Sequence, residues 1–323
     1  MKMKMKSMFV KNLVFFAAML VMILVLVACG AEATSNEESD EEAASGNWPE
    51  KLVFTPIPLE DQQELTNRYE PFAEYLEEVL DIPVEIYPAT NYAATVEAMR
   101  NGHTDLGYFG PFAYIHAESR ANAEAFAGGI TEPDEEPTYE SYFITLEDSG
   151  IESIEDLEGA SFLWADPTSA SGHLFPKAHL VNELGIEVDK VDDMFGEVAF
   201  SGNHEASMLS VLNGNVSAAA VYDVTYNMIL RENADHPNID NLVIIEKTDP
   251  IPLPPFTVRG DLPEDLKETI KDAFYDAINV PELQEFLEDT GHGGGYVEVS
   301  DEDFEVVRMT ADGLGMSPEE LLD

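Results

Sequence analysis

The chain has 323 residues, 45% of them hydrophobic, with 16 Lys+Arg set against 64 Asp+Glu and a formal net charge of −48. So acidic a surface repels nucleic acid and cannot dock onto anionic lipid by electrostatics. The single cysteine excludes a disulfide framework.

Lys2, Lys4, Lys6 and Lys11 lead into an apolar run from Leu13 to Ala28, the charged and apolar halves of a signal peptide. The run ends in Leu26-Val27-Ala28-Cys29-Gly30, which resembles the bacterial lipobox, whose cysteine is lipidated and becomes the mature N-terminus. Residues 1–28 are therefore expected to leave as a lipoprotein signal, with Cys29 carrying the anchor. Residues 29–47 hold no large apolar side chain beyond the start. They cannot offset the entropy of ordering themselves and are expected to be a flexible acidic tether. The body from Trp48 onward, roughly 275 residues, is long enough for two lobes.

Leu52-Val53-Phe54 reads as a first strand, and a helical pattern follows, clearest after Pro71, where Phe72, Leu76, Val79 and Leu80 share a face. Val84–Tyr87 is a second strand. Tyr92 to Arg100 is a helix with Thr90 or Asn91 as cap and Gly102 as stop. Leu106–Phe109 is a third strand, and Gly110-Pro111 opens a helix to about Arg120. After the acidic, proline-bearing loop Glu132–Pro137, Tyr139–Leu146 alternates as a strand. The pattern then restarts with a helix near Ile154–Leu157, a strand Phe162–Ala165, and the stretch Asp166–His173 before Pro176. Val198–Phe200, a helix Glu205–Leu212, Val216–Val221 and Val243–Ile245 follow. A proline-rich crossing, Pro250–Pro255, leads to a tail that is helical over Asp265–Leu287 and from Asp303. Strands alternating with helices imply an α/β fold with a mostly parallel sheet in each lobe. Chain order assigns 48–140 plus 252–323 to lobe 1 and 141–251 to lobe 2, joined by two strand crossings that permit closure on a ligand. The glycine-rich Gly291–Gly295 reads as a flexible turn.

In open α/β sheets, ligands sit at the carboxyl ends of strands. Asn91-Tyr92, Phe109-Gly110, Thr168–Ser171, Asn203-His204 and Tyr222-Asp223 all fall at such ends. Within Asp166-Pro167-Thr168-Ser169-Ala170-Ser171-Gly172-His173, three hydroxyls and a glycine stand where a strand turns into a helix. Such a turn offers hydroxyl donors and unpaired N–H groups to a small oxyanion, although the same residues also serve as a plain N-cap.

Several segments, in order and spacing, resemble the substrate-binding proteins of phosphate/phosphite/phosphonate ABC transporters. They are Tyr92 with Val96–Met99, Asp105–Pro111, Tyr139-Glu140-Ser141, Ser149-Gly150-Ile151, Asp166–Gly172 with Pro176, and Gly202–Ser207. The similarity runs from about Leu52 to Arg308. It implies the two-lobed type II periplasmic-binding-protein fold and capture of a small phosphorus oxyanion for a permease and its ATPase. By the same resemblance, Ser169, Ala170 and Ser171, with Thr168 adjacent, hold the phosphorus oxygens. His204 donates to them, Tyr92 and Tyr139 close the pocket, and Tyr222-Asp223 supplies a further contact. Ala170 departs from the family's Ser-Thr-Ser pattern and removes one side-chain donor. Leu253-Pro254-Pro255 stands where aminoalkylphosphonate binders carry an acid, which favours phosphite, phosphate or a small alkylphosphonate, unless Asp249 substitutes.

A secreted phosphoester or phosphonate hydrolase and a ligand-sensing lipoprotein without transport are the alternatives. Against catalysis, the position four after His204 is Met208, no Gly-x-Ser-x-Gly elbow precedes a helix, and no phosphate-cradling Gly-x-x-x-x-Gly-Lys loop occurs. No cofactor or metal is expected. The expected state is a monomer anchored to the outer face of the cytoplasmic membrane by lipid alone.

Overall fold

A computed structural model describes residues 48–317. The expected signal, the Cys29 anchor and the tether lie outside the described residues. Strands β1 (Leu52–Thr55), β2 (Val84–Ile86), β3 (Leu106–Tyr108), β4 (Ala123–Ile130), β12 (Pro255–Arg259) and β13 (Gly295–Glu298) form one six-stranded sheet in the order β13-β4-β12-β3-β1-β2. Strands β6 (Ser141–Leu146), β7 (Ser161–Trp164), β8 (Glu197–Phe200), β9 (Ala218–Tyr222) and β10 (Leu242–Lys247) form a second, in the order β10-β6-β9-β7-β8. A two-stranded antiparallel pair, β5 (Thr138–Tyr139) with β11 (Ile251–Pro252), joins them at the crossings.

The two-lobed α/β plan stands, but the sheets are mixed rather than mostly parallel. In the first, β1 runs parallel to β2 and β3, while β12 lies antiparallel between β3 and β4. In the second, β7 is parallel to β8 and β9, and β6 is antiparallel to β9 and β10. Two of the antiparallel strands, β6 and β12, directly follow the crossings, and β13 pairs antiparallel with β4 at the edge of the first sheet. A strand arriving through a hinge enters the sheet from the end opposite to one delivered by a helical crossover.

Helix α1 (Gln62–Leu80) begins at Asp61, whose side chain accepts the Gln63 N–H at 2.8 Å, and it continues through Pro71. A mid-helix proline ordinarily costs about 3 kcal/mol. Here it lies on the exposed side, while Leu65, Tyr69, Phe72 and Leu76 bury the opposite face, so packing outweighs the lost bond. Strand β4 has no counterpart in the sequence reading, because its Ala-Glu-Ala-Phe-Ala-Gly-Gly-Ile run has poor strand propensity. Its glycines are required by packing: a β-carbon on Gly129 would stand 2.1 Å from Cδ2 of His292. That histidine is 2% exposed, so the Gly291–Gly295 turn is anchored in the core of lobe 1.

The remaining longer helices are α2 (Tyr92–Arg100), α3 (Pro111–Ala121), α4 (Phe175–Leu184), α5 (His204–Leu212), α6 (Asp223–Glu232), α7 (Glu264–Asp276), α8 (Gln284–Asp289) and α9 (Glu305–Gly313), with a single α-turn at Val191–Met194 and short 3₁₀ turns between them. Ile154–Leu157 is one of those turns rather than an α-helix. The large apolar cluster built on the first sheet also takes in Ala170, Leu174, Phe175 and Tyr222 from the second lobe. The lobes are thus packed against one another, with the carboxyl ends of their strands facing across the seam.

Candidate functional site

The turn after β7 is built by its own side chains. Oδ1 of Asp166 accepts both the backbone N–H and the hydroxyl of Thr168, each at 2.8 Å. This closes an Asx turn that aims the following backbone inward. Ser169 then caps the next segment, its Oγ accepting the Gly172 N–H at 2.9 Å. The segment Ala170–Leu174 is one wide turn, in which Leu174 N–H bonds back five residues to Ser169 O at 3.1 Å. Pro176 falls in the first turn of α4, where its missing N–H costs nothing. The turn is fastened to the hinge by Ser141, whose hydroxyl donates to Ser171 O at 2.5 Å.

His204 opens α5 behind the Asn203 cap, whose Oδ1 accepts the Ala206 N–H at 2.7 Å. Its ring is 1% exposed. Nδ1 accepts the backbone N–H of Tyr222 at 3.0 Å, and a backbone N–H only donates, so the ring hydrogen resides on Nε2. Nε2 lies 3.2 Å from Ser169 Oγ and 3.5 Å from Ser171 Oγ. Burial drives the imidazole pKa down to about 3, so the ring is a neutral donor with fixed direction.

Across the seam, Tyr92 starts α2 from lobe 1 and is 1% exposed, its hydroxyl buried with no hydrogen-bond partner among the described residues and facing Ser169. Tyr139 packs its ring edge-on against Tyr222 at 4.7 Å, with its hydroxyl beside Ser171. Burial raises the pKa of Tyr92, Tyr139 and Tyr222 above the usual phenol range, so all three keep their protons. Gly110, before α3, lies close enough to Tyr92 that a β-carbon would stand 3.2 Å from Cε1.

The structure therefore brings Tyr92, Tyr139, Ser169, Ala170, Ser171, His204 and Tyr222 together. Thr168 stands at the edge with its hydroxyl spent on Asp166. Ala170 is 1% exposed, with its methyl in the apolar cluster. Asp223 is turned to the hinge: Oδ2 accepts Glu140 N–H at 3.0 Å and Oδ1 accepts Val224 N–H at 2.8 Å. Burial raises its pKa to about 6. The Asp166 pKa is raised by burial too, against hydrogen bonds from Thr168 and the Tyr92 N–H. Asp249 is exposed, and Leu253 packs in the core of lobe 1.

Sequence reasoning missed Tyr108 and Ser141 as members of this group. The Tyr108 hydroxyl stands beside that of Tyr222 from the opposite lobe and lies 3.4 Å from His292 Nε2. It ends β3, so the strand-end rule that found Tyr92 would have flagged it. Ser141 sits mid-pattern in a strand and carries no such signal.

A family model described as "ABC transporter, phosphonate, periplasmic substrate-binding protein" matches residues 54–304. The chain belongs to that family. It is 29% identical over 301 residues to the phosphate-import protein PhnD of Mycolicibacterium smegmatis, covering 90% of this chain and 94% of the relative. It is 30% identical over 244 residues to the phosphonates-binding periplasmic protein of Escherichia coli, covering 74% and 70% respectively. The fold matches that of PhnD1 from Prochlorococcus marinus in complex with methylphosphonate, at a TM-score of 0.73 and 22% identity over 83% of this chain and 99% of the other. A binding-protein component of an ABC phosphonate transporter from Pseudomonas aeruginosa matches at a TM-score of 0.75 and 24% identity, over 83% of this chain and 87% of that one. No helix among the described residues is long and apolar enough to cross a membrane. No group of three or more His, Cys, Asp or Glu among them is arranged to hold a metal ion.

Proposed function

We propose that this protein captures a small phosphorus oxyanion (phosphite, phosphate or a small phosphonate) between its two lobes and hands it to the permease and ATPase of an ABC transporter. The oxyanion is held by the hydroxyls of Ser169 and Ser171, the first-turn N–H groups at Ala170 and Ser171, the Nε2–H of His204 and the hydroxyls of Tyr92 and Tyr139. The observation that carries this reading is His204, whose Nδ1 is committed to Tyr222 N–H, leaving one neutral donor aimed between two serine hydroxyls at a helix start. The orphaned Tyr92 hydroxyl, facing Ser169 from the other lobe, supports it.

Every donor in this set is neutral, so the anion is met by hydrogen bonds and helix N-termini in a desolvated cleft, where both are strong. Local donors thus act against a chain of net charge −48, whose surface acids are screened by solvent and salt. Thr168 and Asp223, with their polar atoms already engaged, frame the cleft, and Tyr222 lines it beside Tyr108. Both Asp223 oxygens accept hinge N–H bonds, which leaves little to pair with an ammonium. A ligand without an amino group therefore fits better than 2-aminoethylphosphonate. Cys29 anchors the protein by lipid to the outer face of the cytoplasmic membrane, with 48–140 and 252–323 as lobe 1 and 141–251 as lobe 2.

Calorimetric titration with phosphite, phosphate, methylphosphonate and 2-aminoethylphosphonate tests the reading. Saturable heat is expected with at least one of the first three and weaker binding of the fourth. No heat and no thermal shift with any of them would sink it.

A further inference from the structure

Outside the cleft, Arg68 stands among carboxylates at the seam. Arg68 on α1 forks Glu60, with Nε to Oε1 at 2.6 Å and Nη2 to Oε2 at 2.7 Å. The same Nη2 reaches Glu232 Oε1, at the end of α6 in the other lobe, at 3.0 Å. The Glu60 side chain is only 2% exposed and that of Arg68 17%, while Glu232 is 44% exposed. Next to Glu60, Leu59 O accepts the backbone N–H of Glu205 from α5 at 3.3 Å, a second bond across the seam.

We propose that Arg68 is the positioning residue that holds the lobes closed over the ligand cleft, through its bond from lobe 1 to Glu232 of lobe 2. This rests on the capture reading above. The bidentate Glu60 clamp lies wholly within lobe 1 and fixes the guanidinium before closure, so little rotamer freedom is lost when Glu232 arrives. Hydrogen bonding to Glu60 outweighs burial and raises the Arg68 pKa, so the charge persists at any working pH. Around it the field is otherwise acidic. The 520 Å³ cleft beside Arg68 is lined by Glu64, Glu232, Glu282, Glu285 and Asp289. Glu205 feels Glu64, Glu60 and Glu232 strongly enough, after burial, for its pKa to rise. Closure thus brings like charges together, and the Arg68–Glu232 bond is what turns this edge of the seam attractive. Glu232 also ends a helix, where a carboxylate is disfavoured by the macrodipole and gains most from an external cation.

The clean variant is Glu232→Gln, which removes the crossing charge and leaves the buried Glu60–Arg68 pair intact. In the full chain in detergent, release of inorganic phosphate and of methylphosphonate is expected to be about threefold to tenfold faster. Melting of the ligand-free protein should fall by less than that of the phosphate-bound protein. Energy transfer between dyes on unnatural residues at Glu78 and Glu183, one exposed site in each lobe, should show a smaller closed population with or without phosphate. In the charge-neutral Glu60→Gln/Arg68→Gln background, Glu232→Gln should have no further effect. Unchanged release and an unchanged closed population would overturn the proposal, as would an equal loss of ligand-free melting temperature, which would mark an ordinary stabilising contact. If the parent protein binds neither probe, the phosphorus reading fails on its own. The comparison of ligand-free closed populations still decides the role of Arg68.

Discussion

Gly172 lies against His204 so closely that a β-carbon added to the glycine would stand 2.9 Å from the imidazole Cε1 and 2.4 Å from Cβ of Ala165. Neither neighbour is the free end of a flexible chain. Ala165 is fully buried at the end of the β7 segment, and His204 is pinned by Tyr222. Gly172→Ala must therefore displace the ring or the turn, at a cost of about 1–3 kcal/mol as for other overpacked sites. Chemical denaturation should read that loss. Phosphate titration should show at least tenfold weaker binding, because the Nε2–H would no longer point between the serines. Binding at the parent affinity would separate the turn from the ligand.

Ser169 and Ser171 differ in what else they do. Ser169 Oγ also caps the Gly172 N–H, whereas Ser171 Oγ makes the long 3.5 Å approach to His204. Ser169→Ala should destabilise the fold by about 0.5–2 kcal/mol, the usual loss for an N-cap, and Ser171→Ala by less. The double variant should bind phosphate at least tenfold more weakly, since each bond to a charged acceptor contributes about 1.5–3 kcal/mol. A stability series on the single variants, with calorimetry on the double, checks both halves.

The features legible in the sequence were those written locally. The Asp-Pro-Thr-Ser-Ala-Ser-Gly turn, the cap at Asn91 and the strand ends at Tyr92 and Tyr222 each announce themselves within a few residues. What stayed hidden depends on partners far away in the chain. Strand β4 is held by its two neighbours and by His292, not by its own propensity. Pro71 sits inside a helix because α1 is fixed by its buried face. Tyr108 matters through Tyr222 and Arg68 through Glu232, pairings that exist only once the two lobes meet.

His204 gives a pH dependence with a definite sign. Its folded pKa, about 3, lies below the ordinary value of 6.5, so the unfolded chain binds the proton more readily. Its neutral-state contribution is therefore complete above pH 6.5 and is lost as pH falls toward 3. Removing the titration with His204→Gln should leave the parent-minus-variant stability gap smaller at pH 4 than at pH 7, by roughly 2–4 kcal/mol. His116, His173 and His292 are lowered in the same direction by burial and remain in both proteins, so they cancel in the difference. Urea melts across that range measure it. A gap independent of pH would mean that the imidazole is solvated and free to charge.

Asp223 should behave in the opposite way. Burial raises its folded pKa from 3.8 to about 6, even though Oδ1 and Oδ2 accept two backbone N–H groups at the hinge. With the folded value above the unfolded one, its contribution is complete below about pH 4 and is lost as pH rises through 6, where the carboxylate must be held charged in the seam. Asp223→Asn removes that penalty but turns an amide N–H₂ toward a backbone donor, at a fixed cost of about 1–3 kcal/mol. The variant should thus be most handicapped near pH 4. Its deficit should shrink by about 2–3 kcal/mol by pH 7, the free-energy equivalent of the shift. The same urea series run on Asp223→Asn tests this, and a deficit that grows with pH would show the hinge bonds to dominate over burial.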